Sequence, residues 1–159
     1  MDLLEIFNTR PSVKWESIEL RHIGKFVIDG KTCHVRIEEY MVKSKSLIDF
    51  GFVVDGTTKA SEGNIPASKI IGAVLNAAVP KLQELNPDFI LIAVDKSSGL
   101  VESRKNLYDA LYKWVNRNVG FVYASPEWIE NSKAFYKILG KQTPSQEEND
   151  LFISSVGQK

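Results

Sequence analysis

The chain has 159 residues, 43% of them hydrophobic and 25% charged, and its 20 basic side chains balance 20 acidic ones. This length predicts one domain that folds without metal or disulfide help, and the balanced charge gives no overall attraction to nucleic acid or an anionic membrane. Cys33 is the only cysteine, so no internal disulfide is expected and a cytoplasmic location is favoured. No apolar run reaches the roughly 18 residues of a transmembrane helix, and Met1–Glu5 lacks the basic start of a secretion signal.

The first third of the chain is predicted to form a short helix and then an antiparallel meander. Apolar residues between positions 3 and 7 suit an amphipathic helix that ends near Pro11. From Val13 to Val54 apolar residues alternate instead, with Asp29-Gly30 as a tight-turn pair. The alternation begins with Ile18, Leu20 and Ile23. In the strand after Gly30 it places Cys33, Val35, Ile37 and Glu39 on one face and His34, Arg36 and Glu38 on the other.

The middle of the chain is predicted to alternate between strand and helix. A polar loop at 55–64 follows the strand Leu47–Val54, and apolar residues then recur at helical spacing from Ile70 to Leu82. Pro80 lies inside this helix, where it should bend the helix or remove a hydrogen bond. Phe89–Val94 is apolar on both faces, which is typical of a central strand covered by helices.

The last third is predicted to add a helix, a strand pair and a terminal segment. The helix runs from about residue 101 to 116, and the strand 121–123 pairs with 134–138. Residues 140–159 form either a docked helix or a mobile tail. The order of elements predicts an α/β (α+β) fold with a mixed, mostly antiparallel central sheet and helices on both faces, in a single domain over 1–159.

The expected site lies where two neighbouring strands end. A helix N-terminus follows the strand that ends at Val54, and Asp95 follows the strand that ends at Val94. Open α/β sheets usually bind ligands beyond the carboxyl ends of their strands. We therefore expect the two strands to separate near Val54 and Val94 and leave a wedge-shaped cleft.

This order of elements resembles the GNAT superfamily of N-acetyltransferases over about residues 13–139. The resemblance rests on Phe50–Val54, Gly63 ahead of the Ile70–Leu82 helix, Phe89–Val94, Asn106-Leu107-Tyr108 and Gly120-Phe121. Small uncharacterised GNAT-like proteins of bacteriophages are similar in the Gly63-Asn64 turn and in the stretch Ser103–Tyr108. The resemblance implies a single GNAT-like domain and, for a phage-encoded chain, a place in the host cytoplasm.

The resemblance also implies roles for individual residues. Acetyl-CoA would be held by the backbone of Val53 and Val54, by the Gly63-Asn64 turn at a helix N-terminus, and by Asn106. Tyr108 would be the general acid that protonates the departing thiolate, because a phenol with a pKa near 10 suits that group. Asp95 or water would remove the proton of the attacking amine.

Structural alternatives stand beside each of these roles. Ala60 occupies the place of the family's Arg or Gln, Ile65 that of a second small residue, and Pro66 lacks a donating N–H. Gly63-Asn64 then reads as a turn before a helix that starts with proline. Tyr108 can be a tyrosine at the edge of the core, and Asp95 can cap the next helix or pair with a neighbouring cation.

The other chemical groups point to no further catalytic site. His22 and His34 are the only histidines and lack metal-ligand spacing with Cys33, so no metal site is expected. A Ser-His-Asp set is not expected either, because two histidines and one cysteine make nucleophilic triad chemistry hard to assemble. Basic residues of the meander, interleaved with Trp15 and Tyr40, suit either a nucleic-acid or acidic-partner surface or a solvated strand face.

Two functions follow from the sequence. In the first, the chain is a non-enzymatic binding protein that has lost its cofactor turn and contacts a protein partner; the departures at Ala60, Ile65 and Pro66 favour it. In the second, it is an N-acyltransferase with acetyl-CoA as cofactor; Asn106 and Tyr108 favour it. Self-association into a homo-oligomer stays open, and no membrane partner is expected.

Overall fold

The computed structural model describes residues 12–28, 30–54, 67–96, 105, 109, 112, 113 and 115–157. The strands are β1 (Lys14–Ile18), β2 (Arg21–Ile28), β3 (Lys31–Val42), β4 (Lys45–Val54), β5 (Phe89–Asp95), β6 (Tyr123–Ala124), β7 (Ile129–Glu130) and β8 (Ala134–Gly140). The helices are α1 (Ala67–Leu85), α2, of which 105, 109, 112, 113 and 115–119 are described, and α3 (Gln146–Gly157).

All the described strands belong to one sheet. Its order is β1-β2-β3-β4-β5-β8-β6, with β7 also paired to β8. The β4–β5 pair is parallel and the other pairs are antiparallel. The parallel pair is joined through α1, because a parallel connection needs a crossover. The predicted mixed α/β fold with a mostly antiparallel sheet is confirmed.

The two faces of the sheet bury different side chains, as the period of two requires. On one face, α1 and Val115 of α2 cover Val35, Ile37 and their neighbours. On the other, α3 covers Leu47 and Leu91 through Phe152, which is fully buried. Helices therefore lie on both faces of the sheet.

Helix α1 continues through its proline. It runs to Leu85, and Pro80 lies on its exposed side while the neighbouring Ala78 and Leu82 are buried. The helix ends at Asn86, which has a positive φ of 49° and donates its N–H to the carbonyl of Leu82 over 2.9 Å. Because the ring is exposed it displaces no side chain of the packed core, although proline still removes one helical hydrogen bond.

The start of the meander differs from the prediction. The alternation from Ile18 to Ile23 reads as one strand, but the structure has two strands joined by a turn at Glu19-Leu20. Ile18 and Leu20 are 76% and 54% exposed, so their apolar side chains mark no buried face. The predicted face of β3 is confirmed, because Cys33, Val35 and Ile37 are fully buried.

The end of the chain is a docked helix, so one of the two predicted alternatives is confirmed. Ser145 and Glu148 form a reciprocal cap on α3: Glu148 N–H donates to Ser145 Oγ over 3.1 Å, and Ser145 N–H donates to Glu148 Oε1 over 3.0 Å. Lys45 Nζ reaches Glu148 Oε2 at 2.6 Å, and Lys43 pairs with Glu147. These contacts and buried Phe152 hold α3 against the sheet.

The closing strands follow the predicted pairing with shifted bounds. Strand β6 is shorter than predicted and begins at Tyr123, and β8 extends to Gly140. The two pair through Tyr123↔Gly140 and Ala124↔Leu139. The predicted N-terminal helix and the 55–64 loop lie outside the described residues. Among the helices described, none is long and apolar enough to cross a membrane.

Candidate functional site

Strands β4 and β5 stop pairing before either strand ends. Their parallel ladder runs from Leu47↔Phe89 to Phe50↔Ile92. Strand β4 then continues to Val54 along β3, and β5 continues to Asp95 along β8. The expected separation near Val54 and Val94 is therefore present as the end of this ladder. We call the gap bounded by residues 51–54 and 93–95 the β4–β5 opening.

Backbone groups line the β4–β5 opening. In a strand, the hydrogen-bonding groups of successive residues point alternately to the two neighbouring strands. Residues 51–54 therefore direct some N–H and C=O groups to β3 and the others across the opening, and residues 93–95 do the same on the β8 side. An extended ligand that carries amides can hydrogen-bond to the backbone of a strand, as an added strand does.

Side chains next to the opening are apolar or small. On the face covered by α1, Phe52 packs on the main core and Val94 is buried. On the other face lie Gly51 and the partly buried Ala93. A Cβ at Gly51 would approach Nη2 of Arg36 to 3.0 Å, so the guanidinium uses the space that glycine leaves.

The structure places three of the predicted site residues at this opening. Val53 and Val54 end β4 opposite His34 and Cys33, and Asp95 ends β5 opposite Ala134. Their backbones lie at one edge of the sheet, as expected from parallel strands. Gly63, Asn64, Asn106 and Tyr108 lie outside the described residues.

A buried lysine lies one strand away from the end of the ladder. Lys137 of β8 pairs with Ile92 and is 3% exposed. Its Nζ donates to Asp109 Oδ1 at 2.6 Å and lies 4.4 Å from the ring centroid of Tyr112 and 5.1 Å from that of Trp128. A lysine is rarely buried unless it is paired. The clue in the sequence is a lysine in an otherwise apolar strand.

Two more lysines surround Phe135, which pairs with Val94 at the opening. Nζ of Lys105 lies 4.4 Å from the Phe135 ring centroid, and Nζ of Lys96 lies 5.1 Å from it. Lys96 also donates to Glu130 Oε2 at 2.5 Å. Phe135 therefore lies between two ammonium groups, and Glu130 compensates the charge of one of them.

On the face of the sheet away from α1, strand β4 carries a buried carboxyl group. Asp49 is 2% exposed and its Oδ2 lies 3.4 Å from Nη2 of Arg36. Burial raises the pKa of Asp49, and Arg36 opposes the rise. Burial and the charge of Asp49 also raise the pKa of Tyr40, whose hydroxyl donates to Glu38 at 3.1 Å. This cluster is structural, since its charges compensate one another.

A serine, a histidine and a carboxylate form a hydrogen-bonded chain on the meander. The sequence did not predict this chain. Ser17 Oγ lies 2.7 Å from His22 Nδ1, and His22 Nε2 lies 2.8 Å from Glu39 Oε2. These contacts were not predicted because the hairpin turn at Glu19-Leu20, which creates the Ser17↔His22 pair, was not recognised.

The predicted basic face of the meander contains a cavity of 730 Å³ lined by Lys14, Lys25 and His34 among others. Its charges are mixed: Glu16 lines the same cavity, and Glu38 pairs with Arg21 and Arg36 at 3.6 and 3.7 Å. This mixture favours the solvated strand face over a nucleic-acid surface.

No group of acidic, histidine or cysteine side chains in the described residues has the arrangement of a metal site. Comparison with known proteins identifies no relative: no protein-family model matches the chain, and no curated protein matches it. The fold and the β4–β5 opening define the class of protein only as a mixed α/β protein whose single parallel strand pair stops short of the ends of its strands.

Proposed function

We propose that the chain is a GNAT-like single-domain protein that binds the acyl-CoA type of ligand in the β4–β5 opening, and that it acts by binding rather than by acyl transfer. The observation that carries the proposal is the end of the parallel ladder at Phe50↔Ile92, while both strands continue. The resemblance of residues 13–139 to the GNAT order of elements supports it.

The opening fits the chemistry of a pantetheine arm. That arm is extended and carries two amides, so it can bond to backbone groups of 51–54 much as a strand would. The partly buried Phe52 suits its hydrocarbon part. The lysines around Phe135, one of which also pairs with Glu130, suit the phosphates at its other end.

The sequence of the turn indicates weakened binding of the cofactor, and from that weakening we infer a role other than acyl transfer. A phosphate cradle needs small residues and free N–H groups, and Ala60, Ile65 and Pro66 weaken it. A weakened phosphate-binding turn lowers the affinity for the cofactor. Such a domain can instead act by binding a protein partner through its surface.

The binding test is thermal unfolding with and without acetyl-CoA. A ligand that binds only the folded state adds about 2.7 kcal/mol at a hundredfold excess over its dissociation constant. We expect a clear rise in the midpoint with acetyl-CoA and a smaller rise with pantetheine, which lacks the phosphates. Ala93→Phe should abolish the rise by filling the opening, and Val122→Phe, at a site 81% exposed, should keep it. No rise with acetyl-, succinyl- or longer acyl-CoA would contradict the proposal.

The second candidate is an N-acyltransferase, and the position of Asp95 at the opening favours it. It predicts release of free thiol from acetyl-CoA in the presence of amines, and loss of that release in Tyr108→Phe. Binding of acetyl-CoA without thiol release, together with a protein recovered in stoichiometric amount by affinity capture, would support the binding function instead.

A further inference from the structure

The hydrogen-bonded chain on the meander has the parts of an activated hydroxyl. Its members come from three adjacent strands: Ser17 from β1, His22 from β2 and Glu39 from β3. His22 is 6% exposed, whereas Ser17 is exposed, so the hydroxyl is reachable and the imidazole is shielded.

The proton positions follow from the partners. An ionised carboxylate only accepts hydrogen bonds, so Nε2 of His22 carries a hydrogen and donates it to Glu39 over 2.8 Å. In the neutral imidazole Nδ1 is then the acceptor, and Ser17 O–H donates to it over 2.7 Å. This is the arrangement in which a base takes the proton of a nucleophilic hydroxyl.

The turn beside Ser17 is held in place from strand β3. Glu19 has a positive φ of 54°, as the first residue of a two-residue hairpin loop commonly has. The Glu39 N–H donates to the Leu20 carbonyl over 2.8 Å, so Glu39 fixes the turn with its backbone and His22 with its side chain. The serine and its base are therefore positioned by the same residue.

The surroundings of Ser17 suit an ester. Strand β1 is an edge of the described sheet, so its outward N–H groups can polarise a carbonyl oxygen. The same hairpin exposes the apolar side chains of Ile18 and Leu20. Since these outward groups are a weak substitute for a closed oxyanion hole, the substrate needs a good leaving group.

We propose that Ser17 is a nucleophile that hydrolyses activated carboxylic esters and thioesters, with His22 as its base and Glu39 as a positioning residue. The Ser17 Oγ forms a bond to the carbonyl carbon while its proton moves to His22 Nδ1. The carbon–leaving-group bond then breaks, and His22 returns the proton to the departing oxygen or sulfur. Water, deprotonated by His22, releases the acid and restores Ser17. This activity is independent of the β4–β5 opening.

The test uses the full chain with an alkyl fluorophosphonate and with p-nitrophenyl acetate. We expect one fluorophosphonate adduct, located on Ser17 by peptide mass spectrometry, and release of p-nitrophenolate that Ser17→Ala abolishes. His22→Asn should slow both reactions about a hundredfold, within the range of general-base catalysis. Ser154→Ala and His34→Asn are the matched controls and should react like the wild type.

Glu39→Gln tests the positioning role, because glutamine keeps a hydrogen-bond acceptor but not the charge. We expect slower labelling together with a change in the imidazole ¹⁵N spectrum of His22, which reports which ring nitrogen carries the hydrogen. Circular dichroism separates these effects from unfolding. The proposal is overturned if the folded wild type gives no adduct, if the adduct lies on another serine, or if folded His22→Asn labels at the wild-type rate.

Discussion

Strand β4 pairs with its two neighbouring strands over different lengths. Against β3 it pairs over its whole length, from Val42↔Lys45 to Cys33↔Val54, and against β5 it pairs only as far as Phe50↔Ile92. The β3 side is a hairpin, whose register is set by a short turn and by one buried face. The β5 side is a parallel contact made through a crossover helix, so its length is not imposed by a turn. The full ladder joins β4 to β3 along the whole strand, and the short ladder ends at the proposed binding site.

The largest expected effect contrasts side chains beside these two ladders. Ile37 is fully buried beneath the β3–β4 ladder, so Ile37→Ala should cost about 2–5 kcal/mol of unfolding free energy. Phe52 at the opening is partly buried, and Phe52→Ala should cost about half as much while abolishing the acetyl-CoA-dependent rise in melting temperature. Urea unfolding of both variants measures the difference. Equal costs would mean that the opening is packed like the ladder.

The next effect concerns the ion pair beside the end of the short ladder. Asp109→Ala leaves the Lys137 ammonium buried without its carboxylate, and because Asp109 is itself 45% exposed the cost should be about 2–3 kcal/mol, below that of a fully buried pair. Lys137→Met keeps the stem packed on Tyr112 and Trp128 and should cost less than about 1.5 kcal/mol. Both are measured by urea unfolding. If Lys137→Met is the more harmful change, the charge contributes more than the packing.

Asp49 should make the long ladder sensitive to pH. Its folded pKa is raised, so its favourable contribution is complete below the unfolded value of about 3.9 and is lost as pH rises through the folded pKa. Relative to the wild type, Asp49→Asn should therefore gain stability as pH rises from about 4 to 7. Urea unfolding at several pH values checks this, with exposed Asp150→Asn as the control. A difference independent of pH would contradict the expected titration.

The smallest effect lies at the docked helix. The Lys45 hydrogen bond lowers the pKa of Glu148, so its contribution is present above the unfolded value of about 4.3 and is lost as pH falls through the folded pKa. Glu148→Gln keeps the capping box and should cost about 0.2–1 kcal/mol near neutral pH and nothing in acid. Thermal unfolding at neutral and at acid pH measures both variants. Glu147→Gln should cost less than Glu148→Gln, because both side chains of the Lys43–Glu147 pair are exposed. A larger cost for Glu147→Gln would reverse this assignment.

The sequence predicted what local patterns determine. Alternation placed Cys33, Val35 and Ile37 on the buried face, and the apolar run Phe89–Val94 predicted a central strand. The turn at Glu19-Leu20 was missed because it contains neither glycine nor asparagine, and Leu20 continues the alternation. The Lys137–Asp109 and Ser17–His22–Glu39 contacts depend on register and on packing between distant segments, which no local pattern encodes.

Amide hydrogen exchange with and without acetyl-CoA tests the binding role of the β4–β5 opening most directly. We expect that amides of residues 51–54 and 93–95 that exchange fast in the free protein become protected, while the Ile37 amide, within the full ladder, does not change. Protection that appears elsewhere, or none at all at saturating acetyl-CoA, would contradict the assignment of the opening as the binding site.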